Sequence, residues 1–208
     1  MKITLSIFSL FLFLITTNAY AEPVVNIRTT YYDISGQTNE ALRREMARKG
    51  PILSDRRYWA SAQWHVSWNA DYQILNHDKE LARRFYSSAP NLRVGTGCQV
   101  KSVQTTVSIQ YTYPRWVNPA NPYTNMGRKW DRMYRALVAH EQTHGSHGIS
   151  AARQIESELL QLSSNDHCGN FMREVNTRAQ QIIRRYQDAD VQFDRRSNHG
   201  FNDGIRLP

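Results

Sequence analysis

NMGRKWDRMYRALVAHEQTHGSHGISAARQIESELLQL, residues Asn125 to Leu162, is the stretch that decides how the rest of the chain is read. Its apolar residues Met126, Trp130, Met133, Leu137, Ala151, Ile155 and Leu159 recur at spacings built from threes and fours, which predicts one long helix with a single packed face. His140 and His144 fall on that same line, so two imidazoles one turn apart face the interior. Buried neutral imidazoles beside a carboxylate need compensation, and a shared cation supplies it. Glu141 stands about 100° round the helix from His140, flanking such an ion without binding it. His-Glu-x-x-His in this setting predicts zinc, with Glu141 as general base on a zinc-activated water. Gly145 and Gly148 interrupt the pattern, marking either a kink or a close approach by a neighbouring strand or substrate.

A catalytic zinc usually takes three protein ligands and keeps one position open. His147 is poorly placed for the same ion, because two turns rise about 10.5 Å while zinc–nitrogen bonds are about 2.1 Å. Only a break at Gly145 would rescue it, and Glu156 and Glu158 lie farther still. His167 is tied beside Cys168 near the far end of the helix. His199, in the separate turn-like segment Ser197-Asn198-His199-Gly200, is the leading third ligand, with Asp194 either its supporting partner or the ligand itself.

Working outward, Met1 to Ala21 predicts a signal peptide: Lys2, an apolar core from Leu5 to Ile15, then Ala19-Tyr20-Ala21 as a cleavage site. Export to the periplasm or beyond follows, with Glu22 to Pro208 as one mature domain and no transmembrane segment in it. Cys98 and Cys168, a lone pair in an oxidising compartment without C-x-x-C spacing, predict one disulfide. The chain carries 26 Lys and Arg against 18 Asp and Glu, a formal charge of +8, and losing Lys2 with the leader leaves +7. That excess could attract anionic partners such as cell-envelope material, but its isolated pairs, such as Arg43-Arg44 and Arg83-Arg84, read first as a solvated surface and lack the clustering of a nucleic-acid surface.

Val24 to Ile34 is rich in strand formers and ends at Ser35-Gly36. A helix follows, capped by Thr38 or Asn39, with Leu42 and Met46 on its apolar edge and Gly50-Pro51 stopping it. Tyr58 to Ile74 alternates strictly, one long strand or two joined by a bulge, with His65 on the polar face. Asn76 to Gly97 reads as loop with a short helix at LARRFY and an incidental His77. Cys98 to Tyr113 alternates again, so the two long strands are expected to pair antiparallel. A final helix is predicted from Asn170 to Asp188, then a tail rich in Asn and Gly. The expected class is α+β: an antiparallel sheet of long strands packed on the helix bearing His140 and His144, zincin-like.

Several stretches carry a resemblance: Tyr31-Tyr32-Asp33, Gly50-Pro51, Trp64 and Trp68, Cys98, Pro114-Arg115-Trp116, Trp130, His140-Glu141 with His144, Ala151-Ala152-Arg153, Cys168, Asp194, His199-Gly200 and Gly204. On these the chain resembles a family of bacterial predicted secreted zinc-dependent proteases catalogued as a domain of unknown function. Phe193 and Ser197 stand where that family typically has tyrosine and threonine. The resemblance implies zinc-dependent proteolysis and strengthens a site role for His199. The expected function is therefore an exported zinc metallopeptidase acting on peptide or protein substrates. The alternatives are a zinc hydrolase of cell-wall peptides and a zinc-stabilised binding module in which Glu141 does no chemistry.

Overall fold

The computed structural model describes residues 22–76, 96–121, 123–165 and 168–207. Residues 1–21, expected to form a signal peptide, the 77–95 stretch with LARRFY and His77, and His167 lie outside the described residues. In chain order the elements are β1 (Val24–Ile34), α1 (Asn39–Lys49), the short β2 (Ile52–Leu53) and β3 (Arg56–Arg57), β4 (Ser61–Asn76) and β5 (Thr96–Trp116). Then come α2 (Asn125–Leu159), β6 (Ser163–Ser164) and α3 (Cys168–Ser197).

β5 is the middle strand, with β4 antiparallel on one side as the alternation implied, and a bulge between Asp71 and Tyr72. On the other side β1 runs parallel to β5, so the sheet is mixed and the expectation of an antiparallel sheet is corrected. Period-two alternation assigns each strand's faces but not its neighbour or direction. Here α1 and the β2–β3 hairpin carry the chain from the end of β1 to the start of β4, which lets the two outer strands flank β5 in opposite senses.

The odd-numbered side chains of β5 from Val103 to Tyr113 are all buried, and α2 lies against β4 and β5. The helix is continuous from Asn125 to Leu159, without a break at Gly145. Its glycines serve the close approach instead: a Cβ at Gly145 would stand 1.9 Å from the Tyr111 hydroxyl, and one at Gly148 would stand 2.8 Å from Trp64 Cγ. Farther along, the Thr105 amide and hydroxyl donate to the buried Glu156 carboxylate at 2.8 and 2.7 Å, fixing α2 to β5.

α1 begins at Thr38, whose hydroxyl accepts from Ala41 N–H at 3.1 Å, and buries Leu42 and Met46. α3 packs on α2 and is also tied to β4 by indole N–H bonds, Trp64 to Asp190 and Trp68 to Asn176. Its start is stapled to β5 by the Cys98–Cys168 disulfide. α3 runs nine residues past its expected end at Asp188, to Ser197. The apolar line Phe171, Val175, Ala179, Ile182 continues at four-residue spacing through Tyr186 to Asp190 and Asp194, so the last two turns keep the same face toward α2. No helix among the described residues is long and apolar enough to cross a membrane.

Candidate metal centre

His140 and His144 sit on the buried face of α2, and their rings meet at 5.0 Å between centroids. The two Nε2 atoms are 3.4 Å apart, and Asp194 Oδ1, reaching across from α3, lies 3.1 Å from the first and 3.2 Å from the second. Three donor atoms at the corners of a tetrahedron around zinc, with bonds of about 2.0–2.1 Å, would be separated by about 3.3 Å. The observed triangle has that size.

The other ring nitrogens support the arrangement. His144 Nδ1 lies 2.9 Å from Asp190 Oδ1 and His140 Nδ1 lies 3.3 Å from Asp203 Oδ2. A neutral histidine whose Nδ1–H donates to a carboxylate presents the Nε2 lone pair, the tautomer that binds a metal. Two such lone pairs and a carboxylate oxygen at these separations repel one another unless a cation lies between them, or a proton takes its place.

In the metal-free protein the proton takes that place. Burial alone would lower the pKa of His144, but its bonds to Asp190 and Asp194 outweigh that and raise it to about 10. Burial likewise opposes, and the bonds to Asp194 and Asp203 with the Glu141 charge overcome, the protonation of His140, whose pKa is also raised. Burial would lift Asp194, yet its bonds to both histidines hold it well below the usual carboxylate range. Burial pushes Glu141 up to about 7, against the lowering influence of His144, His140 and a hydrogen bond from the Ala62 backbone.

Of the residues expected at the site, His140, Glu141, His144, Asp194 and His199 line one cavity of about 550 Å³. His199 does not join the donor triangle. Its Nδ1 is 3.6 Å from Asp194 Oδ2, its side chain is 57% exposed, and its backbone is left-handed, with φ of 50°. His147 turns to Asp190 Oδ1 at 2.6 Å, so His144, His147 and Asp190 form a second cluster able to hold an ion. Asp190 therefore takes Nδ1 from two histidines on one oxygen and the Trp64 indole on the other. Sequence reasoning missed Asp190 and Asp203. The signal for Asp190 was the spacing that reveals the histidines, since Asp190 and Asp194 are four apart on the inward line of α3.

The cavity is walled by the beginning of β4 and the residues before it, Tyr58 to Ala62, by Leu53 and Arg57 of the β2–β3 hairpin, and by Phe201 and Ile205 of the tail. Phe193, in the position noted for its departure from tyrosine, packs over the histidine pair, with its ring centroid 4.7 Å from that of His140 and 5.2 Å from that of His144.

The chain belongs to the family described as bacterial protein of unknown function (DUF922), which it matches over residues 29–200. No curated protein matches it. No solved structure does either.

Proposed function

From membership in a bacterial family without an assigned activity, we propose that this chain is an exported zinc-dependent metallopeptidase, zincin-like in design, with His140, His144 and Asp194 as metal ligands and Glu141 as general base. The single observation that carries the reading is the donor triangle of 3.1, 3.2 and 3.4 Å, backed on each histidine by a carboxylate. Asp194 takes the third position that the sequence favoured for His199, because the lengthened α3 presents its oxygen to both imidazoles while His199 lies one carboxylate away.

Bound at the triangle, zinc supplies Lewis acidity, lowering the pKa of water and polarising a carbonyl. Glu141 accepts the proton of the attacking water as its oxygen bonds to the carbonyl carbon, and delivers that proton to the amine as the C–N bond breaks. Glu141 is buried at the edge of the cavity beside the triangle, within a turn of both histidines, where a carboxylate can take and return a proton. β4 is an outer strand of the sheet and its first residues wall the cavity, so an extended peptide can lie along it past the triangle.

Zinc-loaded protein should cleave an unfolded polypeptide, and Glu141→Gln should keep its zinc while losing about 10²–10⁴-fold in rate. Cleavage confined to cell-wall peptide material would move the substrate class. Zinc binding with hydrolysis of neither would leave a zinc-stabilised binding module and end the peptidase reading.

A further inference from the structure

At the start of α2 the protein holds a second cavity, of about 460 Å³, which the metal centre does not use. We propose that it binds a saccharide ring carrying an acidic substituent. Trp130 and Tyr134, one turn apart on α2, are stacked with 19° between their planes and 5.6 Å between centroids, an aromatic pair lining the cavity. Trp116, from the end of β5, meets Trp130 at 63° and 5.4 Å and turns that surface into a corner. Both rings of the stacked pair are only half-buried.

A pyranose has a face of C–H bonds that packs on an electron-rich ring and a rim of hydroxyls that need both donors and acceptors. The lining here supplies both, in Arg115, Arg128 and Asp131. Arg115 is held by Asp33 through Nε at 2.6 Å and Nη2 at 3.0 Å, a bond that does not use Nη1 and fixes the guanidinium in place. Arg128 is anchored by Nη1 to the Tyr123 carbonyl. Asp131 pairs with Arg135. With Asp33 and Asp131 set against Arg115, Arg128 and Arg135, one positive charge is left in excess at the edge, which favours a carboxylate on the ring over a cation.

Trp116, 7% exposed, lines the cavity as its buried inner wall and leaves the half-buried Trp130 and Tyr134 as the rings a ligand can reach. The basic excess of the chain adds attraction for an acidic polymer without fixing where it docks.

The test is native-gel retardation of the full mature chain in gels containing polygalacturonate, dextran or poly-glutamate. Polygalacturonate should retard the protein strongly, dextran weakly and poly-glutamate least. Trp130→Ala should weaken the polygalacturonate interaction at least tenfold, and Arg128→Gln, at an exposed position, should weaken it severalfold with the melting curve unchanged. Trp130→Phe, which keeps a ring, should retain most binding. Equal retardation by poly-glutamate would reduce the effect to bulk charge. Wild-type retardation in both Trp130→Ala and Arg128→Gln, or preference for dextran, would overturn the proposal. None of these outcomes depends on zinc.

Discussion

Glu141 carries its charge at a cost, and that cost can be measured apart from any catalysis. Its folded pKa of about 7 lies above the ordinary 4.5, so it favours the metal-free fold below 4.5 and that contribution is lost as pH rises through 7. Glu141→Gln should therefore stabilise the metal-free protein at pH 8, by up to about 3 kcal/mol, with little gain at pH 4. Equal stability of the two proteins at pH 8 in a urea titration would contradict the burial argument. His144 works in the opposite direction for zinc. Raised to about 10, it is protonated at neutral pH and must release that proton to bind. Zinc affinity should rise about tenfold per pH unit across neutrality for each proton displaced, and a pH-independent affinity would show that His144 is already neutral. Asp190 positions His144, so Asp190→Ala should weaken zinc binding about 10–100-fold with the ligand triangle intact, as read by competition with a chelator. His140, Glu141 and His144 were legible in the sequence because helical geometry fixes residues one and four apart. Asp194 could be named but not ranked, since its place depends on where α3 ends.

At the scale of elements, the two glycines of α2 set how closely helix and sheet approach. Gly145→Ala should destabilise the fold by about 1–3 kcal/mol, because its Cβ would fall 1.9 Å from the Tyr111 hydroxyl. Adding Tyr111→Phe, which removes that oxygen, should recover part of the loss. Additive losses in the double variant, measured by denaturant unfolding, would contradict the proposed contact. The lengths and faces of β4, β5 and α2 could be read from periodicity, since a buried face writes its period into the chain. The parallel seat of β1 could not, because Val25 and Ile27 remain exposed and alternation on an outer strand names no partner. The end of α3 was obscured by its inward-facing carboxylates. Asp190 and Asp194 replace apolar residues on its inward face, so a helix continuing to Ser197 looks like a polar tail.

At the scale of the molecule, the disulfide closes a separation of 70 residues and joins the start of α3 to the middle strand of the sheet. It thereby holds the helix carrying Asp190 and Asp194 against the helix carrying the histidines. By chain entropy a loop of this length contributes about 4 kcal/mol. The pairing was legible because the chain has two cysteines, whereas the aromatic corner of Trp116, Trp130 and Tyr134 needed the fold to bring β5 beside α2. The account as a whole rests on three side chains from two helices gripping one ion. Zinc content by mass spectrometry in purified wild type, His144→Ala, Asp194→Ala and His199→Ala tests it most directly. About one equivalent in wild type and in His199→Ala, with loss in the other two, is the predicted result. Full zinc in Asp194→Ala with loss in His199→Ala would return the third position to the tail, and zinc retained in His144→Ala would contradict the centre itself.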